Sequence, residues 1–220
     1  NGALYLVRQH PKLVDAALVF NEGGGGVIKD GKYVANTVQT AEKTYQTFSL
    51  EITNAGGHSS VPRRDNAIYQ LATALTRIEA FEFPVRMKET PRAYFNGIAG
   101  QDTGESASML YGLLEEPAAS ASVKHFRDVA ETNALLRTTC VATQLEAGHA
   151  ENALPQRASA TVNCRVFPGV SVKEVGEMLL RVADVPSMTL TPKWDALFSD
   201  ASPLDDSIMD PIREITTSMW

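Results

Sequence analysis

Four side chains of this sequence could do chemistry if something held them in place: Glu22, His58, Asn152 and Arg165. His58 lies in Asn54-Ala55-Gly56-Gly57-His58-Ser59-Ser60-Val61-Pro62, where two glycines let the backbone turn sharply and no bulky neighbour screens the ring. An imidazole presented on such a corner can donate a hydrogen bond or move a proton near neutral pH. Arg165 stands on the polar side of an alternating run, and a guanidinium at a fixed strand position suits two-pronged capture of a carboxylate. Asn152 falls in the loop Ala147-Gly148-His149-Ala150-Glu151-Asn152-Ala153-Leu154-Pro155. Glu22 ends an apolar run and opens onto four glycines. Each also has an ordinary reading: a loop histidine, a turn asparagine, a surface arginine in an ion pair, and a single carboxylate where zinc needs about four ligands. His125 and His149 match no ligand spacing and read as surface residues.

The elements that would position these groups follow from periodicity. Ala16–Phe20 is an apolar run of strand length, and the glycines after it lead into a small hairpin turning at Lys29-Asp30-Gly31-Lys32. No Gly-Lys-Ser/Thr follows those glycines, so they are not a phosphate loop. Thr44–Thr53 alternates as a long strand. A helix is predicted from Asp65, as N-cap, to about Phe81, with Ile68, Leu71, Leu75 and Ile78 on one face. Residues 84–137 are less regular, with a polar loop over Gly100–Gly104 and helical spacing over Ser122–Leu136. Two strands come next, about Thr138–Glu146 and Arg157–Phe167. The second sets Ala158, Ala160, Val162, Cys164 and Val166 against Arg157, Ser159, Thr161, Asn163 and Arg165. Ser171-Val172-Lys173-Glu174 is a capping box opening a helix that buries Val172, Val175, Leu179 and Val182. A final strand starts at Met188. Strand, helix, insertion, strand, strand, helix, strand is an α+β order. It predicts a ferredoxin-like antiparallel four-stranded sheet with two helices on one face.

Composition narrows the class. The 220 residues hold 20 Lys and Arg against 26 Asp and Glu, a formal net charge of −6 with no basic block, which argues against a nucleic-acid surface. No apolar run reaches the roughly 18 residues a membrane span requires. Cys140 and Cys164 have neither zinc-type spacing nor the density of a disulfide framework, and they read as two buried free thiols that reveal no compartment. Asn1 is not a methionine, and helical runs at both ends read as cut elements, so the chain is expected to be an internal segment of a longer protein.

Taken together, Asn21-Glu22-Gly23-Gly24, Gly56-Gly57-His58-Ser59-Ser60, Asn133-Ala134-Leu135-Leu136-Arg137-Thr138-Thr139, Asn152-Ala153-Leu154-Pro155, Ala160-Thr161-Val162-Asn163-Cys164-Arg165 and Pro168-Gly169 make the chain resemble a known family. These motifs resemble the di-zinc metallopeptidases that include aminoacylase, glutamate carboxypeptidase and carboxypeptidase S. The branch they are most similar to is that of carboxypeptidase S and the N-fatty-acyl-amino-acid hydrolases. Each motif is weak alone, but they run in order along nearly the whole chain. Three departures stand out: Asn21 where Asp is common, Asn163 two before the arginine where many members have Asp, and Ala147 in place of a glycine.

The resemblance implies a layout and a set of roles. Residues 1–41 would end a first catalytic-domain segment, 42–198 would be the lid or dimerisation domain with an insertion at 84–137, and 199–220 would begin a second catalytic segment. Glu22 would be a ligand of one of two zinc ions, the other ligands lying outside this chain. His58 would reach into the partner subunit of a homodimer and donate to the oxyanion, and Asn152 and Arg165 would hold the free carboxylate of a peptide or N-acyl amino acid. The chain alone is expected to be inactive. The competing expectation is a non-catalytic ferredoxin-like dimerisation or interaction module, for which changing His58 costs no function.

Overall fold

The computed structural model describes residues 2–21, 23–100, 104–115, 120–197 and 199–219. They divide into two units, residues 1–39 and 40–220. In the first, α1 (Gly2–Gln9) and α2 (Pro11–Val14) are followed by β1 (Gly24–Lys29) and β2 (Lys32–Val38). These two strands form the expected antiparallel hairpin, with Asp30 and Gly31 at positive φ in its turn. The apolar run Ala16–Phe20 does not form a strand: Val19 and Phe20 are largely exposed. A strand is held by a neighbouring ladder, and among the described residues none pairs with this run.

The second unit is built on β3 (Thr44–Thr53). After it come the two-residue β4 (Gly57–His58) and the helix α3 (Ala67–Ala80). Among its described residues the insertion forms α4 (Glu89–Ala99), α5 (Glu105–Glu115), α6 (Ser120–Arg127) and α7 (Ala130–Leu136). The chain then runs through β5 (Thr139–Ala147), β6 (Ala153–Leu154), β7 (Arg157–Val166), α8 (Val172–Ala183), β8 (Met188–Pro192) and α9 (Asp206–Met219). Part of the expected polar loop at 100–104 lies outside the described residues.

The main sheet is antiparallel, in the order β5-β7-β3-β8. That is the ferredoxin-like arrangement expected from the element order. β3 and β7 pair over their full lengths, from Thr44 opposite Val166 to Thr53 opposite Arg157. Their alternation decides the faces. Phe48, Leu50, Ile52, Ala158, Ala160, Val162 and Val166 are buried together with Leu71, Ala74 and Ile78 of α3 and Val175 and Leu179 of α8. Gly176 lets α8 approach closely, since a Cβ there would stand 3.3 Å from Leu190 and 3.4 Å from Phe48. The opposite face carries a polar network that includes Arg157 paired with Glu51 at 2.6 Å and Lys193 bonded to Thr161 at 3.0 Å.

Helix α3 starts later than the sequence suggested. Asn66, not Asp65, is the N-cap, its side chain accepting from the N–H groups of Ile68 and Tyr69, while Asp65 is paired to Arg63. The buried stripe keeps Leu71 and Ile78 but adds Ala67 and Ala74, while Leu75 is half-buried and Ile68 is more than a third exposed. Only the serine half of the capping box of α8 is made: Ser171 Oγ accepts from the Glu174 N–H at 3.0 Å, while the Glu174 carboxylate pairs with Arg86. Arg77 of α3 closes the other end of α8 by donating to the carbonyls of Ala183 and Asp184.

Residues 84–137 are more ordered than their sequence pattern implied. The helices of the insertion share a core of their own, centred on Phe95, Leu110, Leu113 and Leu136 and separate from that of the sheet. Buried Arg137 pairs with Glu82 at 2.7 Å, and the Arg86 N–H donates to the Leu136 carbonyl, so entry and exit of the insertion are fastened side by side.

Cys140 and Cys164 are not free thiols. The β5–β7 register sets them directly opposite one another, Cα to Cα 4.1 Å, and they form a disulfide. Their 24-residue separation conceals an adjacency that only strand pairing creates.

Two outcomes follow from this packing. Leu179→Ala empties a fully buried site between α8 and the sheet, and denaturant unfolding should show a loss of about 2–5 kcal/mol. Thiol titration of the unfolded, non-reduced chain should find no free thiol, and two after reduction; two before reduction would rule the bridge out.

Candidate functional site

The His58 corner is folded by its own backbone. Asn54 Oδ1 accepts from the Gly56 N–H at 3.0 Å, and Asn54 Nδ2 donates to the Asp65 carbonyl, which draws the two ends of the loop together. Gly56 is at φ +69°, where a Cβ would meet Gln156 Cγ at 2.5 Å, so neither the backbone nor the space admits a larger residue. β4 pairs antiparallel with β6, Gly57 opposite Leu154 and His58 opposite Ala153. The Ser59 N–H donates to the Asn152 carbonyl at 3.0 Å, and the Asn54 N–H to that of Gln156. The loops bearing His58 and Asn152 are therefore tied to one another by main-chain bonds. The short β4–β6 pairing was not foreseen in the sequence, because two residues are too few to show a period.

The ring of His58 is exposed and oriented. The Ser60 N–H donates to Nδ1 at 3.2 Å, and the Ser60 hydroxyl lies 2.8 Å from the same nitrogen. A backbone N–H can only donate, so Nδ1 is the acceptor. In the neutral ring the proton then resides on Nε2. The outward nitrogen is thus a hydrogen-bond donor, the form suited to a carbonyl oxygen that gains negative charge. Asn152 is also exposed, on the loop bonded to that of His58.

Arg165 lies elsewhere. It sits at the far end of β7 from the 152–156 loop, opposite Tyr45 on one side and Thr139 on the other. From Arg157 to Arg165 is eight residues of strand, about 27 Å. One chain therefore brings His58 and Asn152 together but does not bring Asn152 and Arg165 onto a single small ligand. The two arginines of β7 differ in a telling way. Arg157 is neutralised by Glu51, whereas Arg165 is held over the Tyr45 ring, 4.6 Å from its centroid, with no carboxylate partner among the described residues. Tyr45 in turn stacks on Trp194, centroids 5.5 Å apart and planes 6° apart. An aromatic brace fixes a guanidinium and leaves its charge available.

Lys43, just before β3, belongs to the same end of the sheet. It donates to the Ala134 carbonyl at 2.9 Å and to Thr139 Oγ1 at 3.1 Å. Burial, and next the nearby charge of Arg165, pull its ammonium down to about 8. Sequence reading passed over Lys43, Tyr45 and Trp194. The alternation of β3 places Tyr45 on the polar face, but only the register reveals that it backs Arg165. Glu22 lies outside the described residues. Among the described residues no three His, Cys, Asp or Glu side chains converge as a metal centre demands, so this part of the chain does not by itself fit zinc.

Comparison with known proteins places this geometry. Residues 40–187 match the peptidase dimerisation domain. A Dictyostelium discoideum protein named probable carboxypeptidase S-like 2 is 35% identical over 154 residues, covering 66% of this chain and 28% of that protein. A human N-fatty-acyl-amino acid synthase/hydrolase is 31% identical over 170 residues, covering 75% and 33%. Carboxypeptidase S of Saccharomyces cerevisiae is 26% identical over 171 residues, covering 75% and 30%. The chain thus spans about a third of the length of these relatives. With the family profile covering more than half of its residues, and His58, Asn152 and Arg165 all inside the matched stretch, the chain belongs to the peptidase dimerisation family.

Proposed function

We propose that the full-length protein is a zinc-dependent hydrolase that cleaves the amide bond of peptides or N-acyl amino acids bearing a free carboxylate. Within it, residues 42–198 form the lid through which two copies dimerise, and 1–41 and 199–220 belong to flanking catalytic-domain segments. The observation that carries this reading is the exposed His58, with Nε2 left as donor by the Ser60 N–H and its loop bonded to that of Asn152. Attack on an amide carbonyl throws negative charge onto oxygen, and a fixed N–H aimed at it stabilises that charge. Losing one such donor lowers rate by about 10²–10³. Glu22 is proposed as a ligand to zinc, the rest of the metal's ligands coming from other parts of the full-length protein.

Arg165 is proposed to take the substrate carboxylate. Because it stands at the far end of the sheet from His58 and Asn152, a complete site would draw Arg165 from one subunit and His58 with Asn152 from the other. The exposed edge strand supports such a pairing. β5 borders the sheet, is exposed from Val141 to Ala147, and presents Val141 and Leu145 at 60% and 64% exposure. A bare edge of this length is a template for a second strand. The alternative, a lid that dimerises without catalysis, predicts that His58 is dispensable.

Kinetics of the full-length enzyme on N-acyl amino acids separate the roles. His58→Ala should lower kcat by about 10²–10³ with little change in KM. Arg165→Ala should chiefly raise KM, by about tenfold or more, as loss of a charge-assisted contact does. An unchanged kcat for the first variant, or an unchanged KM for the second, removes the corresponding role. Leu145→Arg, a change at an exposed site, should convert the dimer to a folded monomer in light scattering; a persisting dimer would place the interface elsewhere.

A further inference from the structure

We propose that Lys43 is a second cation of the carboxylate receptor built on Arg165, and that it sets selectivity for substrates whose terminal group is charged. This rests on the assignment of Arg165 to the substrate carboxylate and adds a residue to it. Thr139 and Arg165 are directly opposed on β5 and β7. Side chains of opposed residues leave the same face of the sheet with their Cβ atoms about 5 Å apart. The Lys43 ammonium is 3.1 Å from the Thr139 hydroxyl, which brings it beside the guanidinium on that face. On the other side of Arg165 stands Tyr45, backed by Trp194. One rung of the sheet thus carries two positive groups and an aromatic wall.

Neither cation has a carboxylate partner among the described residues. Lys43 uses two of its three donors on the Ala134 carbonyl and the Thr139 hydroxyl, leaving one N–H. Burial lowers the proton affinity of Lys43 most, and the like charge of Arg165, held near without a counter-ion, lowers it further. A carboxylate has two oxygens and needs donors on two sides. Arg165 supplies a fork and Lys43 a point charge, and an anion shared between them removes the repulsion while satisfying the remaining N–H. A neutral carboxamide does neither. The plainer role for Lys43, a clip fastening α7 to β5, gives no reason to distinguish the two ligands.

The test is calorimetric binding to the full-length protein, with a chelator present so that no turnover occurs, of N-acetyl-L-leucine and of N-acetyl-L-leucinamide. The wild type should prefer the carboxylate. Lys43→Met should lower carboxylate affinity by about tenfold or more and leave the amide unchanged. Lys43→Arg should restore most of the preference, and thermal unfolding of both variants reports whether the fold is kept. If Arg165→Ala abolishes the preference while Lys43→Met leaves it intact, or weakens both ligands equally, Lys43 is a structural clip and the proposal falls alone. If the wild type shows no preference, or Arg165→Ala has no effect on it, the carboxylate role of Arg165 falls as well.

Discussion

The pairing of β3 with β7 is the constraint on which the rest of the second unit depends. It runs through ten opposed residue pairs, and its register is held by burial: a slip of one residue would turn Phe48, Leu50, Val162 and their neighbours to solvent and bring Arg157 and Arg165 into the core. The outer strands β5 and β8 attach to this pair, α3 and α8 cover one face of it, and the disulfide adds a covalent rung beside it.

The same pairing separates the two groups of polar residues. An antiparallel strand that starts at Arg157 and ends at Val166 has its two ends in different surroundings. At one end, main-chain bonds knit the His58 and Asn152 loops together. At the other, Arg165 lies over Tyr45, which stacks on Trp194, and its charge is felt by Lys43. A rigid sheet about 27 Å long between the two groups cannot fold back to join them. Dimerisation is then a chemical requirement of the proposed reading as well as a structural one, because a second copy can bring the opposite end of its own sheet to the same substrate.

Electrostatics distinguishes two residues of the same type on one strand. Arg157 is neutralised by Glu51 and contributes to the polar network of the outer face. Arg165 is braced by a ring and shares its surroundings with a second cation. An arginine held rigid but left electrostatically unsatisfied is poised for an anion, whereas an arginine already in an ion pair must surrender a partner first.

Much of this was legible in the sequence. The limits of β3, the alternation of β7, the Ser171 N-cap and the order of strands and helices all follow from local periodicity and capping chemistry, which act within a few residues. The motifs around His58, Asn152 and Arg165 identified the family for the same reason. What local pattern could not supply was adjacency. Cys140 and Cys164 read as separate thiols because they meet only through the β5–β7 register. The buried stripe of α3 takes in Ala67 and Ala74 and leaves Ile68 exposed because the way the helix lies on the sheet, not its own sequence pattern, decides which residues face inward. Ala16–Phe20 has the composition of a strand, but a strand also needs a neighbour. The helices of the insertion owe their shared core to packing that no short window displays. The sequence by itself determined which residues alternate, which are capped and which chemistry is at hand. Only the tertiary structure decided which of those residues are neighbours, because strand register and packing are set by burial summed over the whole sheet.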